Sequence, residues 1–135
     1  MSTFTLDPRL AACSIKLADW PLCQVLLKND ADYPWAMLVP TEPNITEICD
    51  LTAENQQQLI AEIAQLSRIM RETFQPIKLN VGALGNIVSQ LHVHVIARQS
   101  NDKAWPHGVW QPSHQPVPYA NARLAELVAQ LSGQL

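Results

Sequence analysis

The sequence has few charged residues, few cysteines and no long hydrophobic run, and each shortage excludes a class of protein. Charged residues make up 16% of the chain and the net charge is −3, whereas a general nucleic-acid-binding surface is normally basic. No apolar run approaches the roughly 18 residues that a membrane span requires. The first residues, MSTFTLDPRL, have neither a basic region nor an apolar core, so we expect no secretory signal and a cytoplasmic protein.

The cysteines are too few and too scattered for a disulfide framework. Cys13, Cys23 and Cys49 are odd in number and contain no C-x-x-C pair. This spacing predicts reduced thiols in the core of a cytosolic protein, not a zinc site.

Hydrophobic periodicity predicts the order of the elements. Alternating or apolar runs indicate strands at residues 14–20, 22–27, 35–39, 78–81 and 90–96. Thr52 is a candidate N-cap for a long amphipathic helix that ends before Pro76, and Glu62 is expected on the solvated side of this helix. Asn121 is a candidate N-cap for a last helix. We therefore expect an α+β fold, with an antiparallel sheet of about five strands, one long helix packed on it and a C-terminal helix. Residues 1–135 are expected to form a single domain, with 100–135 as a Trp- and Pro-rich tail plus the last helix.

The last predicted strand carries polar side chains at alternate positions. Gln90, His92 and His94 would share one face, each about 7 Å from the next, above an apolar back. Neutral imidazole can bind a metal, transfer protons or act as a nucleophile. A catalytic zinc site needs about three protein ligands, and Gln90 is a poor one, so we assign no metal. The ordinary alternative is a solvent-exposed strand face.

A glycine-containing loop precedes this strand. Gly82, Gly85 and Asn86 come shortly before His92, and glycine lets backbone N–H groups approach an anion closely. The chain contains neither a G-x-x-x-x-G-K-[ST] phosphate loop nor a G-x-S-x-G elbow. The loop and the two imidazoles together predict a phosphate group held beside a nucleophile.

These residues resemble a known motif. Gln90-Leu91-His92-Val93-His94-Val95-Ile96 is similar to the histidine triad, His-φ-His-φ-His-φ-φ, of nucleotide hydrolases and transferases. Trp105-Pro106-His107-Gly108 is similar to the Trp-Pro-Pro-Gly tail of the family's phosphoramidase branch. The resemblance covers most of the chain, and it departs at Gln90, where the family has its first histidine.

The resemblance implies roles for individual residues. His92 corresponds to the nucleophile that attacks the α-phosphorus of a nucleotide, and His94 to the histidine that holds the phosphate and assists the leaving group. Asn80 and Asn86 match positions close to the phosphate, and Asn29 would lie near the ribose. Trp105 either lines the pocket or packs at an interface.

The resemblance also implies an activity. It predicts hydrolysis of nucleoside phosphoramidates or dinucleoside polyphosphates, such as diadenosine tetraphosphate, through a nucleotidyl-histidine intermediate in a homodimer. No cofactor is required, although Mg²⁺ could accompany a polyphosphate. Gln90 cannot carry a proton or a charge, and Ile87 stands where a hydroxyl is frequent. A nucleotide sensor with little turnover and a nucleotidyltransferase therefore remain alternatives.

The other basic and aromatic residues are expected to be solvated or structural. We expect the side chains of the scattered basic residues Lys28, Arg98 and Lys103, and of the tail histidines His107 and His114, to be solvated. We expect core or interface positions for Trp35 and Trp110.

Overall fold

The computed structural model describes residues 3–135, in which the elements follow the predicted order. A short helix, α1 (Pro8–Ala12), precedes three strands, β1 (Ser14–Asp19), β2 (Cys23–Lys28) and β3 (Trp35–Pro40). A 3-10 turn (Ile48–Asp50) leads into the long helix α2 (Ala53–Phe74). The chain continues through β4 (Lys78–Gly82), β5 (Val93–Arg98) and the last helix, α3 (Asn121–Ser132).

The five strands form one antiparallel sheet in the order β1-β2-β3-β5-β4, which confirms the predicted α+β fold. The histidine strand β5 lies between β3 and β4, so Met37 and Gly82 are the neighbours of His94 in register. β5 begins at Val93 and not at Gln90. The reason is that the N–H of Leu91 donates to the Ile45 carbonyl in the loop after β3, at 3.0 Å, instead of extending the sheet.

The long helix covers one face of the sheet. Thr52 caps α2 as predicted, since its side chain accepts a hydrogen bond from Asn55 N. Val93 and Val95 of β5 pack against Leu59 of α2 in the largest buried cluster. Burial of each such side chain contributes roughly 1.5–3 kcal/mol relative to exposure.

Glu62 lies on the side of α2 that was predicted to be solvated, yet it is only 1% exposed. Its carboxylate accepts hydrogen bonds from the backbone N–H groups of Leu22 and Cys23, at 3.0 and 2.9 Å, and from the Gln58 side chain at 2.7 Å. A carboxylate tolerates burial where donors meet it. The prediction was wrong because the turn before β2 supplies donors that a helical pattern does not reveal.

The last helix packs on the same side as α2. Leu127 and Leu131 of α3 lie with Leu27 and Ile69 in a buried cluster. Its N-cap residue is Ala120, which makes no side-chain cap hydrogen bond, so the predicted cap at Asn121 was wrong by one position.

The cysteines differ in burial. Cys23 is fully buried, and burial raises the pKa of its thiol. Cys13 is half-buried and Cys49 is exposed, so the expectation of three core thiols was wrong for Cys49. Within residues 3–135, every helix is too short or too polar to span a bilayer.

Candidate active site

The two histidines of the motif lie side by side on the face of the sheet away from α2. Their ring centroids are 4.8 Å apart, and the residues are 7% and 6% exposed. On this face Trp35 and Met37 of β3 flank His94 in a second buried cluster. The predicted pairing of His92 and His94 is therefore present in the fold, and their near-complete burial excludes a solvent-exposed strand face.

A backbone hydrogen bond determines the tautomer of His92. Its Nδ1 lies 2.7 Å from the carbonyl oxygen of Gln90. A carbonyl oxygen only accepts hydrogen bonds, so Nδ1 must carry the proton. In the neutral ring the lone pair is then on Nε2. His92 therefore offers Nε2 as a nucleophile or a base.

Trp35 fixes the opposite tautomer at His94. The Trp35 indole Nε1–H donates to His94 Nδ1 at 2.9 Å, and an indole can only donate. The proton of neutral His94 is therefore on Nε2. Burial, followed by the nearby His92 and Lys28, lowers the pKa of His94 from 6.5 to about 3. At neutral pH His94 is thus a neutral N–H donor, suited to binding a phosphate oxygen. Its assistance to a leaving group stays a prediction.

We expect His94 to remain neutral from pH 8 down to pH 4.5, because its pKa is about 3. The ring C–H resonances of His94 should keep their chemical shifts over this range in an NMR titration, while free imidazole in the same sample titrates. The unfolded chain binds this proton near pH 6.5. Stability should therefore fall as the pH falls below 6.5, by about 2 kcal/mol between pH 7 and pH 5 from this group alone. A midpoint for His94 near 6.5 would contradict the assignment.

A cleft of about 540 Å³ opens beside the two histidines. Its walls come from α1, the ends of β2 and β3, the loop of residues 84–88 and the segment of residues 109–116. Lys28 lines it, with Nζ 4.0 Å from the Trp35 ring centroid. Arg9 also lines it, although Asp7 pairs with the guanidinium at 3.0 Å. The cleft therefore combines apolar walls with cationic groups, as a nucleotide requires.

Trp110 is a cleft residue that the sequence reasoning missed. It is 37% exposed, and its ring packs edge-on to His94 and Trp35, with centroids 5.3 and 5.9 Å away. A Cβ on Gly82 would lie 3.4 Å from the Trp110 ring, so a glycine at that position lets the ring approach. A tryptophan five residues after Trp105 was the available signal, but the segment has no periodicity to orient it.

The glycine loop lies where the sequence predicted it. Gly85 and Asn86 both line the cleft. Gly85 has a φ of +75°, a conformation that favours glycine. Ile87 is 84% exposed, and its carbonyl accepts a hydrogen bond from Arg9 at 3.1 Å.

Gln90 does not share the face of the two histidines. Its Oε1 accepts from Asp7 N at 2.8 Å, and its Nε2 donates to the Thr5 carbonyl at 2.9 Å. The predicted row of three side chains was wrong at this position, because the strand begins only at Val93. The amide binds the N-terminal segment, so it is not free to contact a phosphate in this arrangement.

Asn80 and Trp105 surround a buried arginine and do not line the cleft. Arg98 is 1% exposed, and it pairs with Asp102 through bonds of 2.7 and 2.9 Å. It also donates to Asn80 Oδ1 at 2.7 Å and to the His107 carbonyl at 2.8 Å, and lies 5.5 Å from the Trp105 ring centroid. The expectation of a solvated Arg98 was wrong, because Asp102 and three further partners compensate its burial.

The tail is attached to the sheet through Asn29 and Asp30. Asn29 Oδ1 accepts from Tyr119 N at 2.9 Å, and Asn29 does not line the cleft. Asp30 is fully buried, and its Oδ2 lies 2.7 Å from Nε2 of His114. The prediction of a solvated His114 was wrong, because its ring contacts the buried Asp30 and forms part of the cleft wall. The substrate roles of Asn29, Asn80 and Trp105 stay predictions.

One group of side chains in residues 3–135 has the composition of a metal site. Ligand atoms of Asp30, Asp32 and His114 lie within 4.8 Å of one another. These carboxylates already contact His114 and, at 3.3 Å, the Lys103 ammonium. The group does not include His92 or His94, and we assign it a structural role.

Comparison with known proteins agrees with this geometry. A sequence model described as the HIT domain matches residues 11–101. A histidine triad protein from Marinobacter aquaeolei is 46% identical, with 99% of this chain and 97% of that chain covered and a TM-score of 0.95. Histidine triad proteins from Bradyrhizobium japonicum and Sinorhizobium meliloti are 41% and 39% identical, each with 98% of both chains covered and TM-scores of 0.94 and 0.93. The comparison with curated proteins found no match. The family match and these structures establish that the chain belongs to the histidine triad family.

Proposed function

We propose that the chain is a nucleotide hydrolase that acts on nucleoside phosphoramidates or dinucleoside polyphosphates, such as diadenosine tetraphosphate. The observation that carries this proposal is the pair of opposite tautomers, in which His92 offers a lone pair at Nε2 and His94 an N–H at Nε2. A nucleophile beside a neutral donor suits attack on a phosphorus atom whose oxygen the donor holds.

The reaction has two halves. In the first, His92 Nε2 forms a bond to the α-phosphorus, and the P–N or P–O bond to the leaving group breaks. In the second, water attacks the nucleotidyl-histidine, releases the nucleoside monophosphate and returns His92 to its neutral form. The ring is positively charged in the intermediate, so the hydrogen bond from Nδ1–H to the Gln90 carbonyl strengthens as that charge develops.

The cleft supplies the binding groups for this reaction. Its volume of about 540 Å³ falls within the roughly 300–1,000 Å³ of typical small-molecule sites. Lys28, Gly85 and Asn86 line the cleft, so Lys28 would supply a positive charge, and backbone N–H groups of the glycine loop would bind phosphate oxygens. The mechanism requires no cofactor, and Mg²⁺ would accompany only a polyphosphate substrate.

AMP release tests the proposal directly. Adenosine phosphoramidate and diadenosine tetraphosphate are incubated with the protein, and AMP is quantified by chromatography. We expect multiple turnovers on at least one substrate, and an acid-quenched sample should contain protein with a mass increase of one adenylyl group. Absence of AMP from both substrates would contradict the proposed activity.

A nucleotide sensor with little turnover is the second candidate, and Gln90 is the observation that favours it. Its amide is engaged by the backbone of Thr5 and Asp7, and Ile87 supplies no hydroxyl. AMP binding without any adenylylated protein would select this function. A nucleotidyltransferase would instead form the intermediate and pass the nucleotidyl group to an acceptor other than water, which a screen of acceptors would reveal.

The proposal includes a cytoplasmic homodimer. Ile77 and Val81, at the outer strand β4, are 60% and 49% exposed. Apolar side chains beside an unpaired strand edge support a contact with a second copy.

A further inference from the structure

A second and smaller cavity adjoins the cleft at His92. Its volume is about 290 Å³, and it shares Leu84, Gly85 and His92 with the cleft. The rest of its wall comes from residues 46–49, in and before the 3-10 turn, and from Ala83, Ser89 and Leu91. The His92 ring is 7% exposed, and its Nδ1 is bound to the Gln90 carbonyl. The reactive nitrogen therefore belongs to a ring that lines both spaces.

The two cavities differ in charge. Lys28 and Arg9 line the cleft, whereas the described residues that line the small cavity include Glu47 and neither lysine nor arginine. Asp50 lies beside this wall, where its carboxylate accepts hydrogen bonds from the backbone N–H groups of Thr46 and Glu47. With Glu47 as the charged residue of its lining, the small cavity favours a cation over an anion.

The size and the walls of the small cavity limit its occupant further. About 290 Å³ is at the lower limit of the roughly 300–1,000 Å³ that drug-sized ligands occupy. Ile48, Leu84 and Leu91 contribute apolar surface, which suits a methylene chain. A second nucleoside with its phosphates would bring negative charge next to Glu47. A short alkyl chain that ends in a cationic group fits both the small volume with its apolar walls and the charge of Glu47.

We propose that this cavity is the leaving-group subsite and that it selects an alkylamine carrying a second, positively charged ammonium group. The inference rests on the proposed hydrolase function and narrows its substrate class to phosphoramidates. With the nucleoside in the cleft, His92 Nε2 bonds to phosphorus as the P–N bond breaks, and the expelled amine takes a proton from solvent. The chain of that amine lies in the small cavity, with its distal ammonium near Glu47.

Three adenosine 5′-phosphoramidates test the subsite. Their amine parts are 1,4-diaminobutane, butylamine and 4-aminobutanoate, so that the distal group is cationic, neutral or anionic at similar length. We expect kcat/KM to be about tenfold higher for the cationic than for the anionic compound. Glu47→Gln should reduce this preference by about three- to fivefold, the scale of one partly exposed charge pair. Glu47→Lys should reverse it, and the butylamine compound is the neutral reference against which each preference is calculated.

Glu72→Lys is the matched control, because Glu72 is an exposed residue of α2 that lines neither cavity. The same change of net charge there should leave the preference intact. Equal rates for all three compounds, or equal effects at Glu47 and Glu72, would overturn the subsite while AMP release still supported the hydrolase. No AMP from any amidate would overturn the subsite, and no AMP from diadenosine tetraphosphate as well would remove the hydrolase function with it.

Discussion

Replacing His92 with glycine is expected to lower AMP release by at least about 1,000-fold, the scale of loss when the nucleophile of a covalent mechanism is removed. The backbone holds this ring by a 2.7 Å contact between Nδ1 and the Gln90 carbonyl, which directs the lone pair to Nε2. No neighbouring group can replace that lone pair, because the Nε2 of His94 carries its proton. Steady-state AMP release measures the loss.

Chemical rescue separates a missing nucleophile from a damaged site. Deleting the His92 side chain leaves space beside the cleft, so imidazole added at millimolar concentration should restore part of the rate. AMP affinity should fall far less than the rate, because His92 is one of many residues that line the cleft. His107→Gly provides a matched control, since His107 is exposed and lines neither cavity. A His92→Gly variant with an unchanged rate would contradict the role of His92 as nucleophile.

Replacing Arg98 with methionine is expected to lower the free energy of unfolding by about 3–5 kcal/mol, because one partner of a buried ion pair is left without the other. Asp102 is 8% exposed as a side chain and would lose both bonds from the guanidinium. Burial alone raises the pKa of Asp102, whereas hydrogen bonds from Arg98, Gln99 N and Trp105 N together lower it. Without Arg98 the carboxylate would be buried and poorly compensated.

Denaturant unfolding at pH 7 measures this effect, and Lys103→Met is the matched control. Lys103 pairs with Asp32 at 3.3 Å, but its side chain is 61% exposed, so its loss should cost at most about 1 kcal/mol. Arg98 also bonds to the His107 carbonyl, close to Val109 and Trp110 of the cleft wall. AMP binding should therefore weaken in Arg98→Met. A loss of stability below about 1 kcal/mol would show that the network around Arg98 is not needed.

The sequence predicted those features that depend on local pattern. Strand alternation predicts that His92 and His94 lie together. A capping residue followed by apolar residues at spacings of three and four predicts a helix that begins after Thr52. These features need only neighbours in the chain, and so they were recovered.

The features that were missed depend on partners distant in sequence. Glu62 is buried because N–H groups some 40 positions earlier meet it. Arg98 is buried because Asn80, 18 positions earlier, adds to the nearby Asp102 as a partner. Gln90 faces Thr5 and Asp7, more than 80 positions away. The same local patterns are compatible with solvated side chains, so only the assembled fold distinguishes the two outcomes.

The contacts of Gln90 and Arg9 have a practical consequence for handling the protein. Residues 5–9 are bound by three hydrogen bonds to residues 87–90, which lead directly into His92. Insertions or substitutions within residues 5–9 would therefore disturb the segment that orients the nucleophile. Purification handles are better kept away from this segment.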